Sequence, residues 1–453
     1  MDTVAARDTR GIVLCLGGSF FLRSASAAAA ELIALYLANL NMTGTPVAAS
    51  LVGWVAVMFY VTELAGSPVF GGLSDRGGPR RYLRLGPVFG VAGVAIIAAG
   101  PLIAFPAILG VFIARLLQGL SAASSIPSSL SYLSIQAAGS EHRRGRIMSA
   151  FEISTIVGIA SGLVIGGRLW DSMGFDAFYV VVATYLISLL LFWPIRNVMV
   201  ASTQNHGILG NFRGVMRDPR ALRLVPAWIA VNAVLGVWLN QQLTFQMAGH
   251  DDPTQYLVGG YNGQQIGLVG GGFSLMFVIG IGIWGLFIGR VRSTTTMVIS
   301  LGGFAALCPF LFLLNHTPAE DTSRLIVVLP AATLALLVMT GFTPAALVYL
   351  SRIADEFHLE RGVIMGMYSV FLGLGQFIGG SLAGYFAEWK AVDGMIILTA
   401  ILGAISAIAV AGLIRHEAIQ GNAVRPHDTT PLRSSVAAKD ALASAGDGLS
   451  GPT

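Results

Sequence analysis

Ile126-Pro127-Ser128-Ser129-Leu130-Ser131-Tyr132-Leu133-Ser134 returns later in the chain as Thr343-Pro344-Ala345-Ala346-Leu347-Val348-Tyr349-Leu350-Ser351. The offset, from Pro127 to Pro344, is 217 residues. The same offset lays Arg144-Gly145 on Arg361-Gly362, Ile147-Met148 on Ile364-Met365, Gly158 on Gly375 and Gly162 on Gly379. Apolar runs resemble one another by chance, but not in a proline, a tyrosine, an Arg-Gly pair and a glycine spacing at once. One unit has been duplicated, and the register between its copies holds without a gap through two successive apolar segments.

Working outward, the chain on both sides is apolar over long continuous runs, such as Val88–Phe105 and Ile396–Ile414. A hydrocarbon core of about 30 Å needs roughly 20 helical residues. Barrel strands leave a weaker signal of about ten alternating residues. Helices are therefore expected, at 11–38, 50–71, 82–104, 107–134, 146–167 and 176–195, then at 223–247, 266–288, 296–315, 325–349, 363–386 and 395–414. The repeated stretches fall on spans four and five, and again on ten and eleven. The expected fold class is an all-α membrane protein, with twelve transmembrane helices in two pseudo-symmetric six-helix bundles. Parallel halves of this kind occur in duplicated secondary transporters. The expected domains are 1–195, a central loop 196–222, a second bundle 223–415, and an Ala/Ser/Gly-rich tail 416–453 with the composition of disorder.

Composition agrees. Of 453 residues 55% are hydrophobic and only 11% charged, against roughly a quarter charged in soluble domains. The net charge of +4 does not point to nucleic acid, because the basic residues sit in short loops between spans. Arg76, Arg80, Arg81, Arg84, Arg143, Arg144, Arg146, Arg213, Arg217, Arg220, Arg223, Arg290, Arg292, Arg352 and Arg361 all fall on one side. The opposite loops hold little beyond Arg168, Arg324 and Lys390. The positive-inside rule then places both termini in the cytoplasm and the chain in the plasma or inner membrane. Two cysteines, Cys15 and Cys308, lie inside spans and imply neither a disulfide framework nor a zinc site. There is no phosphate-binding loop, metal-ligand cluster or nucleophile constellation, so neither an enzyme, nor a bound cofactor or metal, nor ATP as energy source is expected.

After span two comes Gly71-Gly72-Leu73-Ser74-Asp75-Arg76-Gly77-Gly78-Pro79-Arg80-Arg81, a tight turn in which glycines permit positive φ. It resembles the signature loop of the major facilitator superfamily, G-x-x-x-D-R-x-G-R-[KR], departing at Pro79, with Arg80 and Arg81 one place late. The counterpart loop, Gly285–Arg292, keeps Gly285 and Arg290 but has Gly289 in place of the acid. Span four carries Arg115-Leu116-Leu117-Gln118-Gly119, similar to the family's R-x-x-Q-G element. In proton-coupled members that arginine is implicated in proton transfer. Span five carries Gly158, Gly162, Gly166 and Gly167, resembling the antiporter signature G-x-x-x-G-P-x-x-G-G, with Leu163 for the proline and Ser149 for an earlier glycine. Small residues four apart also serve close helix packing. The resemblance implies the major facilitator fold and is strongest to the twelve-span drug/proton antiporters. It makes Gly71, Asp75, Arg76, Gly78 and Arg80 gating residues together with the four span-five glycines, and it implies a monomer.

Ionisable groups inside spans are functional candidates by default. They are Arg23, Glu31, Glu63, Arg115 and Glu152, all in the first half. Glu63 lies twelve residues before Asp75, about 18 Å from the membrane edge at about 1.5 Å per residue. Arg23 and Arg115 fall at similar depth, near the midplane where transporter sites lie. Glu152 is shallower, and Glu31 lies towards the outer mouth, where water would solvate it. The five are candidates for proton coupling, since a carboxylate alternating between wet and dry, or paired and unpaired, changes its proton affinity. The second half offers neutral polar groups instead. Asn232, Asn240, Gln241 and Trp238 on span seven, with the repeat-related Tyr132 and Tyr349, are candidate substrate contacts.

The expected function is a proton-coupled antiporter exporting amphipathic small molecules by alternating access. The expected partners are a small-molecule or lipid-like substrate, protons and membrane lipids, with no nucleic acid, and the proton gradient is the energy source. A lipid or glycolipid transporter or flippase, a proton-coupled nutrient symporter and a binding-only receptor are the alternatives.

Overall fold

Asp8 accepts a hydrogen bond from the N–H of Gly11 at 2.8 Å, and this N-cap starts the 34-residue helix α1, Thr9–Met42. The computed structural model describes residues 8–137, 141–197, 219–287, 290–318, 320–356 and 361–423. Helices α2 (Ala49–Gly77), α3 (Arg80–Ala99), α4 (Ala107–Gln136), α5 (Glu141–Met173) and α6 (Ala177–Phe192) complete the first half. The second half holds α7 (Pro219–Trp238), α8 (Gln241–Met247), α9 (Gly263–Phe287), α10 (Ser293–Asn315), α11 (Thr322–Met339), α12 (Phe342–Glu356) and α13 (Arg361–Ala423). No β-strand occurs among the described residues. Most of the expected central loop, including Arg213 and Arg217, and the expected tail from 424 onward lie outside them, as does the side chain of Asp75.

Among the described residues, ten helical stretches are long and apolar enough to cross a membrane. Two are double length: 47 residues over Arg146–Phe192 and 50 over Val370–Ile419. Each contains a break, at the turn Gly174–Asp176 in the first and at Lys390 and Ala391 in the second, where the backbone leaves helical angles. Dividing them there gives twelve apolar helical stretches among the described residues. Large apolar side chains such as Leu190, Leu286 and Ile326 point outward, as lipid contact requires. The chain forms two compact units, the second beginning at Ala411.

Spans seven and ten are expected to be continuous, and neither is. Span seven stops at Trp238 and resumes at Gln241, with Asn240 extended at φ −92° and ψ 177°. In an unbroken helix the backbone N–H of Asn240 would donate to the carbonyl of Gly236. The Asn240 side-chain amide donates there instead, at 2.7 Å, so the break leaves that carbonyl satisfied inside the membrane. Span ten is interrupted at Thr340–Gly341, between α11 and α12. Pro344 has no N–H, and in the first turn of α12 none is needed. Its repeat partner Pro127 sits in mid-α4, which stays unbroken. There Ser124, Ser125 and Ser128 donate their hydroxyls back to the helix carbonyls of Ser121 and Ser124. The same proline thus sits at the start of one helix and is absorbed in the middle of another.

The turn between α2 and α3 needs its glycine. Gly78 has φ +84°, a region costly for other residues, and a Cβ there would strike the side chain of Asn197. Gly71 packs beside Pro127, while Arg76 is exposed.

Candidate functional site

Gly119 has no side chain to keep α4 off α2; a Cβ would strike the carbonyl of Phe59 and the hydroxyl of Thr62. Thr62 closes the contact by donating to the carbonyl of Leu116 at 2.8 Å. This approach lays the Arg115 guanidinium over the Phe59 ring, 4.8 Å from its centroid, a favourable cation–π arrangement. Nη1 of Arg115 donates to Oε1 of Gln118 at 2.8 Å. Arg115 is 4% exposed and Gln118 fully buried, yet Nε of Arg115 and Nε2 of Gln118 have no partner.

Arg23 on α1 also buries an unpartnered Nε. The charges of Arg23 and Arg115 both act on Glu63, and Arg23 acts on Glu152, whose side chain is exposed. Among the described residues no direct ion pair joins these groups; the ion pairs present are His316–Asp393 and Arg324–Asp321, both in the second half. The core of the first half therefore holds two guanidiniums and one deep carboxylate that interact electrostatically without being locked together. Such an arrangement leaves donors free for an incoming group.

Glu31 is not at a solvated rim. It is 4% exposed and sits where the halves meet, its Oε2 accepting from the hydroxyl of Thr244 on α8 at 2.9 Å. Gln241 donates to the carbonyl of Ala30 at 3.0 Å. Oε1 of Glu31, Oε1 of Gln241 and both amide atoms of Gln242 are buried without a partner. Tyr60 of α2 donates to Oδ1 of Asn240 at the break in span seven, at 2.9 Å.

Further towards the end opposite the arginine-rich loops, α5 meets α9. The N–H groups of Gly263 and Gln264 both donate to Asp171, each at 2.7 Å. The side chain of Asn262 takes the N–H of Gln265 at 2.9 Å, and Gln265 returns a bond to the Asn262 N–H at 3.1 Å. The first turn of α9 is thus capped twice, by its own capping box and by a carboxylate from the other half. Below the cap, Gly167 faces Gly263 backbone to backbone, Gly267 lies against Leu163 and Gly271 against Ala160. Gly158, Gly162 and Gly166 line the other side of α5 and receive α1 at Phe20, Ser24 and Ala28. The α2–α13 contact is similar: Gly53 lies against Gly380 and Gly384, with Trp54 donating to the hydroxyl of Tyr385 at 3.0 Å. The hydrogen bonds between halves given above run from mid-helix to this end.

The expected substrate residues do not form one group. Tyr132 is fully buried in a core with Ile12, Cys15, Leu83 and Phe192, and it donates to Asp8 at 3.4 Å, at the start of α1. Trp238 donates its indole N–H to Thr399 at 2.8 Å, within the second half. Asn232 is fully buried, donates to the Trp228 carbonyl at 2.9 Å and keeps an unpartnered Oδ1. Tyr349 is buried on α12. Asn240 and Gln241 do lie between the halves. Sequence reading passed over Asp171 and Thr244, and met Gln118 only as part of the R-x-x-Q-G element. A capping-box pattern at Asn262–Gln265 was the available signal for the helix start that Asp171 serves.

The family model described as Major Facilitator Superfamily matches residues 12–259 and, a second time, 253–445. The inner membrane transport protein YajR of Escherichia coli (strain K12) is 28% identical over 183 residues, 39% of this chain and 37% of that protein. The match thus spans little more than a third of the relative's length. Among solved structures, the nucleoside transporter NupG superposes with a TM-score of 0.70 at 14% identity, covering 89% of this chain and 98% of that one. A POT family transporter in complex with a thioalcohol-conjugated peptide superposes with a TM-score of 0.65 at 12% identity, covering 89% and 96%.

Proposed function

This chain belongs to the Major Facilitator Superfamily, and from that premise we propose that it is a proton-coupled antiporter exporting amphipathic small molecules. That it is a multi-pass membrane transporter and not an enzyme follows from the family and the fold. The proposal adds the coupling, the direction and the class of substrate.

One observation carries it: Glu63 lies within electrostatic reach of Arg23 and Arg115 without being paired to either. A permanent structural ion pair would be locked by direct hydrogen bonds. An unlocked carboxylate beside two guanidiniums takes up a proton when the empty cavity dries, and releases it when a cationic substrate enters beside it and favours the charged form. Substrate binding and protonation then compete at Glu63, with the two arginines setting the balance between them. Arg115 is positioned by Phe59 and Gln118, which supports its role as the relay. Glu31 and Glu152 take lesser roles, Glu31 at the seam between halves and Glu152 as an entry point. The neutral groups Asn232, Asn240, Gln241 and Gln242 supply substrate contacts from the second half. With the arginine-rich loops in the cytoplasm, the seam from Glu31 to Asp171 closes the outer side, and alternating access consists of parting it. The resemblance of the span-five glycines to the antiporter element favours export.

The test uses purified protein in proteoliposomes with a pH dye inside and no imposed gradient. Candidate cationic, neutral and lipid-like compounds are added outside in turn. Substrate-driven proton efflux that is lost in Glu63→Gln supports antiport. Proton influx with substrate reverses the direction of coupling, and proton fluxes unchanged by the substitution remove Glu63 from the path.

A further inference from the structure

A second feature lies at the arginine-rich end, away from Glu63 and the seam between the halves. On the outer surface of the first half, α3 and α6 enclose a cavity of about 410 Å³. Arg80, Arg84 and Val88 succeed one another at intervals of four along α3 and so share one face. Leu189 on α6 and Trp193, which caps that helix, are likewise four apart, and all five line the cavity. Arg84 donates to the carbonyl of Trp193, with its guanidinium carbon 4.4 Å from the centre of the Trp193 ring. The N–H on Nε of both Arg80 and Arg84 is buried without a partner, and the charge of Arg80 acts on Arg84. Among the described residues no carboxylate pairs with either arginine.

Two guanidiniums that repel each other, each with an unused donor, call for an anion. The surroundings say which kind. Towards the membrane centre the groove becomes apolar, with Val88 and Leu189 in its wall; Val88 is 45% exposed and Trp193, beside Arg84, 59%, so these side chains face lipid. The distance from Arg80 to Val88 is about 12 Å along the helix, the reach of a phosphate, a glycerol and the first carbons of a chain. A free phosphate matches only the polar mouth. We propose that the groove between α3 and α6 binds an anionic phospholipid, its phosphate held by Arg80 and Arg84 and its chains along Val88 and Leu189. The bound lipid braces the turn between α2 and α3, because Asn197, also in the cavity wall, donates to the carbonyl of Gly77 at 3.3 Å.

Trp193 makes this measurable. The protein is placed in phosphatidylcholine nanodiscs containing a small fraction of phosphatidylglycerol or phosphatidylcholine, brominated near the head of the acyl chain. Subtracting the signal of Trp193→Phe, which keeps a ring over Arg84, isolates the quenching of Trp193. Brominated phosphatidylglycerol is expected to quench at about 30-fold lower mole fraction than the phosphatidylcholine, or about 2 kcal/mol at 1.4 kcal/mol per factor of ten. The preference should vanish in R80Q/R84Q and persist in Arg290→Gln, where the arginine lies in another loop. Equal potency of the two lipids in the unaltered protein overturns the proposal, and that comparison needs no arginine variant to fold. Displacement of the brominated lipid by inorganic phosphate at matched ionic strength would also overturn it, assigning the site to a free anion.

Discussion

Asp171 is the most direct handle on the seam between the halves. Its carboxylate takes two N–H groups of α9 at 2.7 Å, so it is an N-cap supplied by one bundle to a helix of the other. Replacing a capping carboxylate with alanine typically costs about 1 kcal/mol and at most about 2. Asp171 is exposed, which screens its charge and rules out the larger figures for buried charged bonds. Asn262 still satisfies Gln265, so α9 keeps its own cap and its fold. About 1.5 kcal/mol is therefore lost from the closed arrangement alone, which lowers the ratio of closed to parted molecules about tenfold. Spin labels at Thr45→Cys and Pro253→Cys, exposed positions on opposite halves at that end, would report the separation by double electron–electron resonance. Cys308 is replaced beforehand, while Cys15 is buried and does not react. Asp171→Ala should lower the ratio of the short- to the long-distance component about tenfold. A distance distribution that matches the unaltered protein would show that the cap does not hold the halves together.

Further outcomes follow from the same contacts. Gly267→Ala places a Cβ 2.6 Å from the carbonyl of Leu163, overpacking worth about 1–3 kcal/mol, and should part the same labels and slow transport. Gly272→Ala meets nothing within 4 Å and should change neither; equal effects from both would refute the packing argument. Asn315 is fully buried; it donates to Gln255 and Asp393 and accepts from the Leu257 N–H. Asn315→Ala should lower thermal stability in detergent by about 3 kcal/mol, at about 1 per bond, and an unshifted melting curve would discount that network. In the loop after α8, the hydroxyl and N–H of Thr254 hold the Asp252 carboxyl below its ordinary value of 3.8. These bonds are therefore fully present above that value and lost as pH falls through the lower one. Hydrogen exchange in residues 250–258 should show an acid-induced loss of protection that is absent in Asp252→Asn; identical acid limbs would contradict it.

The spans and the duplication were legible because lipid imposes a length on every apolar helix and because Pro127 and Pro344 fixed the register. The break in span ten was written in Gly341 and Pro344, yet Pro127, its equal, breaks nothing. Only the serine hydroxyls turned back onto α4 tell the two apart. The break in span seven has neither glycine nor proline at its centre, and rests on an asparagine amide standing in for a backbone N–H. Burial of Glu31 was not legible either. Depth along one helix is a one-dimensional measure, and what covers Glu31 is Thr244 from the other half. Tyr132 misled for a related reason: the repeat shows that a residue is kept in register, not whether it faces a cavity or a core. The clustering of Arg23, Glu63 and Arg115, by contrast, followed from depth alone, since three charged groups at one level of a narrow bundle must be near one another.

The glycine seam between α5 and α9 has a thermal consequence. Where Gly167 meets Gly263 the two surfaces are backbone, and backbone already held in a helix has no rotamers to surrender when it docks. Long side chains give up as much as about 2 kcal/mol each in conformational entropy when fixed. A joint made of bare backbone parts and closes with little of that exchange. The slope of a free energy with temperature is minus its entropy, so side-chain ordering at this joint should add little to how the free energy of parting changes with temperature.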